Sequence, residues 1–191
     1  MIRLLLRTSE RVRVVSPWDP AIDVATKTRL LADDLEVLQG RAFDGATWFE
    51  LRGLSAGEVR RLRPLLPRPP EQVREWLGAV ARGEKPPPAS PTLDRDFGAW
   101  QSEVGFVYLR AALMHADLEG WPAERESYLG LELWPEWATD ALPHDTGRWL
   151  GALAYKLSML PAEKRRPFGS PPDEPSGTTA AEAKTTSDVS G

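Results

Sequence analysis

The stretch from Thr47 to Pro64 fixes more of this chain's architecture than any other. Phe49 and Leu51 alternate with Glu50 and Arg52, the pattern of a half-buried strand, and Gly53-Leu54-Ser55-Ala56-Gly57-Glu58-Val59 then opens a helix. Ser55 and Glu58 stand at capping-box spacing, so each side chain can satisfy a backbone N–H left open at a helix start. Leu54 and Val59 occupy the two positions of a hydrophobic staple. A chain containing this segment must feed an extended strand directly into a helix. The segment is architecture, and no catalytic motif stands elsewhere to override it. An enzyme is therefore not expected.

The N-terminus alternates at Ile2, Leu4 and Leu6 and again at Val12 and Val14, which predicts a strand–turn–strand hairpin. Asp19-Pro20 then reads as a cap and first helical residue. Val24, Thr28, Leu31, Leu35 and Leu38 recur at three- and four-residue steps, predicting one amphipathic helix that ends at Gly40. After the strand over Thr47–Arg52, helices are expected from Ala56 to Leu66 and from Glu71 to Arg82. Phe97, Trp100, Val104, Val107, Ala111, Met114 and Leu118 predict one long helix from Asp94 to Leu118 with a narrow apolar seam. A short helical turn follows around Trp137. The last helix, opened by Asp145 or Thr146, carries Trp149, Leu150, Leu153, Leu157 and Leu160 and stops at Pro161.

Glu84-Lys85-Pro86-Pro87-Pro88-Ala89-Ser90-Pro91 is a stiff, extended connection. It divides the chain into an α+β half (1–83), a Pro-rich linker (84–93) and a helical half (94–166). Residues 167–191 almost lack apolar side chains and cannot bury enough surface to offset ordering entropy, so a disordered tail is expected. The fold class is α+β, mostly α-helical, with an N-terminal hairpin or small sheet and five or six helices.

The 191 residues include no cysteine, which excludes disulfides, thiolate catalysis and cysteine-bound zinc. Ile2–Leu6 is too short, and too interrupted by arginine, to read as a signal peptide or a span, so no membrane association is expected. A net charge of −4 does not favour a nucleic-acid partner. The one basic cluster, Arg52, Arg60, Arg61, Arg63, Arg68 and Arg74, lies near Trp48 and Trp76 and supplies the alternative reading, a small nucleic-acid-associated or regulatory protein. Glu50, Glu58, Glu71 and Glu75 interleave with it, as on a solvated helix surface. His115, Asp117 and Glu119 are spaced by two, which spreads them around a helix and away from a shared metal, so no metal or cofactor is expected. Asp33, Asp34 and Glu36 read as an exposed helix face.

The tryptophans divide in two. Trp76, Trp100 and Trp149 sit on apolar helix faces. Trp121, Trp134 and Trp137 fall in breaks beside Pro122 and Pro135, where they serve as core plugs or as anchors for a partner. With Trp100, Val104 and Val107 of the long seam, these three make up the candidate partner-binding set. The seam either forms one wall of a groove for a partner helix or packs against the helix from Thr146 to Leu160.

Three signals together resemble tail assembly chaperones of long-tailed bacteriophages and related small phage tail proteins. They are Phe49-x-Leu51-Arg52-x-Leu54-Ser55-x-x-Glu58; Tyr108-Leu109-Arg110-Ala111-Ala112-Leu113 before Gly120-Trp121; and Leu142-Pro143, Trp149-Leu150 and Leu157-Ser158-x-Leu160. The resemblance covers roughly Thr47 to Leu160. The N-terminal hairpin and the Pro-rich linker have no counterpart in it. It implies a non-enzymatic helper in the host cytoplasm, without cofactor, that binds the long helical tape measure protein before the tail tube polymerises. It carries over no catalytic residue and leaves self-association open.

Overall fold

The computed structural model describes residues 11–39, 41 and 43–159, and the fold below is built from these. The expected first arm of the hairpin, Ile2–Leu6, and the expected disordered tail, 167–191, lie outside them.

The chain enters through strand β1 (Arg11–Val15), whose Val12 and Val14 point into the core while Arg11 and Arg13 face out. Helix α1 (Val24–Leu31) is capped by Asp23, which accepts from Thr26 N at 2.8 Å. Asp19, the expected cap, accepts instead from Ala21 N and Thr47 N, tying this turn to the start of the next strand. The single helix expected to Gly40 is divided. Asp33 takes a left-handed conformation (φ 62°) after α1, and the chain resumes as a 3-10 turn over Leu35–Leu38. The break lets Leu35, Val37 and Leu38 all be buried, which one helical face does not allow.

Strand β2 (Trp48–Arg52) and helix α2 (Ala56–Leu62) follow the sequence reading closely. Ser55 and Glu58 form the reciprocal capping box, and Leu54 is fully buried. Pro64 lies in a 3-10 turn over Arg63–Leu65, so α2 itself ends before the expected Leu66. Helix α3 (Glu71–Ala81) and the extended 84–90 segment lead to helix α4 (Pro91–Ala112), capped by Ser90 through Leu93 N at 3.1 Å.

At Ala112 the structure departs from the helix expected to reach Leu118. The chain straightens into strand β3 (Leu113–Ala116), which pairs antiparallel with β2. Phe49 faces Ala116 and Glu50 faces His115, with an irregularity before Leu51 and Leu113. The open backbone groups of β2 outcompete continued helix because pairing also buries Leu113 and Ala116. The sheet order is β1-β2-β3, so the second half of the chain completes the sheet begun by the first. A separate hairpin follows, β4 (Glu126–Tyr128) and β5 (Leu131–Leu133). Its two turn residues, Leu129 and Gly130, both have positive φ (49° and 72°), as a tight hairpin turn requires. A short helix α5 (Glu136–Asp140) precedes α6 (His144–Met159).

The inner face of the sheet and the α4–α6 pair share one core, which includes Phe49, Leu51, Tyr108, Leu109, Leu150, Leu153 and Leu157. No helix among the described residues is long and apolar enough to cross a membrane.

Candidate functional site

The site is organised by two helices lying side by side. Gln101 shares a depression with Arg148, Gly105 touches Gly151, and Tyr108 stacks edge-on against Tyr155 at 5.0 Å. These positions advance together, so α4 and α6 run in the same direction. A Cβ on Gly151 would lie 2.8 Å from the Gly105 carbonyl carbon, and one on Gly147 the same distance from the Phe106 ring. At Gly151 the neighbour is backbone, and an approach this close requires glycine and sets the helix separation.

One side of the pair meets the sheet. On another, a trough opens to solvent as two adjoining depressions that share Gln101 and Ala152. The first, of about 240 Å³, is walled by Trp100, Val104, Tyr155 and the stem of Lys156. A row of rings leads to it, from Trp76 to Phe97 to Trp100, each 5.9 Å from the next. Trp100 is fixed by its Nε1, which donates to Pro67 O at 3.0 Å. Lys156 Nζ pairs with Asp33 at 2.7 Å on the rim, and Tyr155 and Met159 remain substantially exposed on α6.

The second depression, of about 340 Å³, has Trp18 and Trp149 as apolar walls and Gln101, Ser102, Asp145 and Arg148 as polar ones. A buried hydrogen bond between Ser16 and Thr146 hydroxyls (2.7 Å) and one from Trp18 N to Ser16 Oγ fasten the Trp18 segment to the start of α6. Ser102 Oγ is buried without a hydrogen-bond partner among the described residues.

The six candidate residues fall in four places. Trp100 and Val104 line the trough. Val107 faces a different depression, beside Phe106, Arg110 and Glu136. Trp121 and Trp134 stack edge-on at 5.4 Å against the core, and Trp134 is only 6% exposed. Trp134 Nε1 donates to Leu113 O at 2.7 Å, and the Arg125 guanidinium lies 4.6 Å over its ring while donating to the carbonyls of Leu113 and Met114. Burial, with Arg52 and Arg11 close by, lowers the pKa of Arg125. Trp137 alone is an exposed tryptophan of this group, at 58%.

Several of the other candidates are taken up by pairing within the chain. Arg52 grips Glu58 through two hydrogen bonds (2.7 and 3.1 Å), Arg61 donates to Gly130 O, and Arg74 lies 3.6 Å from Glu71. Burial would raise the Glu58 carboxyl, but Arg52 and Ser55 outweigh it and hold the pKa down at about 2. Asp34 pairs with Arg29, and Asp33 with Lys156. His115 stands exposed on β3. Among the described residues no three of His, Asp and Glu come together as metal ligands.

Sequence reasoning missed Tyr155, Ser102, Arg148 and Trp18 as trough residues. A signal existed in the glycines: Gly98 and Gly105 lie seven apart on α4, and Gly147 and Gly151 four apart on α6, each pair on one helical face. No protein-family model, curated protein or solved structure matches this chain.

Proposed function

We propose that this chain is a non-enzymatic binding protein whose α4–α6 trough holds an amphipathic helix of another protein. More specifically, it acts in the host cytoplasm as a phage tail assembly chaperone, and its guest is the tape measure protein. The observation that carries the reading is the trough itself, a solvent-open channel between two parallel helices, entered along the Trp76–Phe97–Trp100 row and walled by Val104 and Tyr155. A third helix laid along such a channel presents side chains at i, i+3, i+4 and i+7 to ridges already spaced for helix packing. The trough spans Asp145 to Lys156 on α6, eleven steps of about 1.5 Å, or roughly three turns of guest helix. The phage assignment rests on the resemblance of the Phe49–Glu58, Tyr108–Trp121 and Leu142–Leu160 signals.

The test is co-expression with the gene products encoded beside it, followed by affinity recovery of intact protein and of a Tyr155→Glu variant. Recovery of a long, helix-rich tail protein by the intact chain, lost with Tyr155→Glu, supports the assignment. Recovery of nucleic acid alone, released by salt, replaces it with the arginine-surface alternative.

A further inference from the structure

We infer that the groove between α4 and α5 is the seat of this chain's own segment 164–168, Lys164-Arg165-Arg166-Pro167-Phe168. The groove lies apart from the trough and does not depend on a guest helix there.

Gln101, Gly105 and Tyr108 turn towards α6. Glu103, Val107 and Arg110, two residues further round α4, turn away from it and wall a depression of about 380 Å³ with α5. Its apolar part is Leu65, Pro67, Phe106 and Val107. Its charged part is unbalanced, with Glu103, Glu136 and Asp140 against the single base Arg110. That base is already engaged. Its Nε donates to Trp134 O at 2.7 Å, and its other nitrogens lie 3.6 Å from Glu126 and 3.8 Å from Glu136. Glu103 and Asp140 form no ion pair among the described residues. An acidic occupant would add to the excess, and a neutral one would leave both carboxylates without a counter-charge. The groove therefore suits cations set beside a large apolar side chain.

Among the residues outside the described set, segment 164–168 alone joins three successive cations to an aromatic ring. It can also reach. Leu54 N donates to Ser158 Oγ at 3.1 Å, so α6 ends beside the start of α2. The seven residues of α2 and the three of its 3-10 turn then lead to Leu65 on the groove, a span of roughly 17 Å. An extended chain covers about 17 Å from Met159 to Lys164 and about 30 Å to Phe168. Arg60, Arg61 and Arg63 lie along this path and outside the lining. They repel the same segment, so its favourable seat is beyond them. Glu103 and Asp140 are exposed, and exposed pairs are weak singly. The seat thus needs several of them together with the ring against Phe106 and Val107.

The chain has no cysteine, so Ala99→Cys and Gly169→Cys place two spin labels on the full chain. Ala99 is exposed, one turn before Glu103 and outside the lining. Pulsed electron spin resonance should give one narrow distance distribution at low salt. Reversing the segment (Lys164→Glu, Arg165→Glu and Arg166→Glu) should widen it about twofold, towards that of a free coil, and 1 M salt should do the same. Reversing the groove (Glu103→Lys with Asp140→Lys) should widen it equally, and combining both reversals should restore the narrow peak, which a misfolded variant cannot do. A broad distribution in the parent, or a narrow one that survives either reversal, overturns the inference. A peak that appears between singly labelled chains in a mixture also overturns it, by assigning the seat to the segment of a second copy. None of these outcomes bears on the trough, which the Tyr155→Glu recovery tests separately.

Discussion

Helices α2 and α4 begin alike and end by different physics. Each starts under a serine whose hydroxyl accepts from the third helical N–H, Ser55 from Glu58 and Ser90 from Leu93. At its other end α2 stops within a few residues of its cap, as Pro64 tightens the chain into a 3-10 turn. Helix α4 stops with no proline or glycine at hand, in the middle of an apolar pattern that could have run on to Leu118, because β2 lies open beside it. A start written within four residues is legible locally. An end dictated by a strand some sixty residues away is not.

The contrast can be broken hardest at the remote end. Trp134→Ala removes the ring stacked on Trp121, the bond to Leu113 O and the platform under Arg125, and should cost about 3–5 kcal/mol in urea unfolding. Trp137→Ala, three residues on and 58% exposed, should stay within about 0.5 kcal/mol. Equal losses from the two would mean that the end of α4 is not held by tertiary contact.

Next comes the helix contact. Gly151→Ala places a methyl 2.8 Å from one Gly105 backbone atom and 3.0 Å from another, and neither helix can yield without moving its neighbours. The expected loss is about 1–3 kcal/mol, read as a lower thermal midpoint. An unchanged midpoint would mean that the two helices are not set by this approach.

The locally written start of α2 is weaker and sensitive to pH. Glu58→Gln removes the charge shared between Arg52 and the cap, for about 1–2 kcal/mol near neutrality. The folded pKa, about 2, lies below the ordinary 4.5, so the contribution is fully present above pH 4.5 and fades as pH falls towards 2. The difference between variant and parent in urea midpoint should therefore shrink over that interval. A constant difference would detach the cap from this ionisation.

The smallest effect should be a gain. Leu129 holds φ 49° with a branched side chain 60% exposed, and Leu129→Asn should relieve strain and add up to about 1 kcal/mol. A loss would show that Leu129 packs against something its exposure does not reveal.

The same division explains what the sequence disclosed. Strand β2, the capping box, α3 and α6 are legible because period and punctuation sit together. The β4–β5 hairpin was not, because Leu129-Gly130 lacks the Asn-Gly or Asp-Gly signature of its turn. In the trough, Trp100 and Val104 were legible from the seam. Tyr155, Ser102 and Arg148 were not, since their meeting depends on how closely Gly105 and Gly151 let two helices approach. Trp121 and Trp134 show the converse. A tryptophan beside a proline looks the same in sequence whether it fills a core or stands in water, as Trp137 does.

The grip of Arg125 and Trp134 on the carbonyls of Leu113 and Met114 has one further consequence. A three-stranded sheet with a bare margin is a template on which other chains, including copies of itself, can stack strand upon strand into aggregates. Here an arginine and an indole occupy hydrogen-bonding positions along β3 that an incoming strand would have to win. Loss of either side chain would thus cost solubility as well as stability.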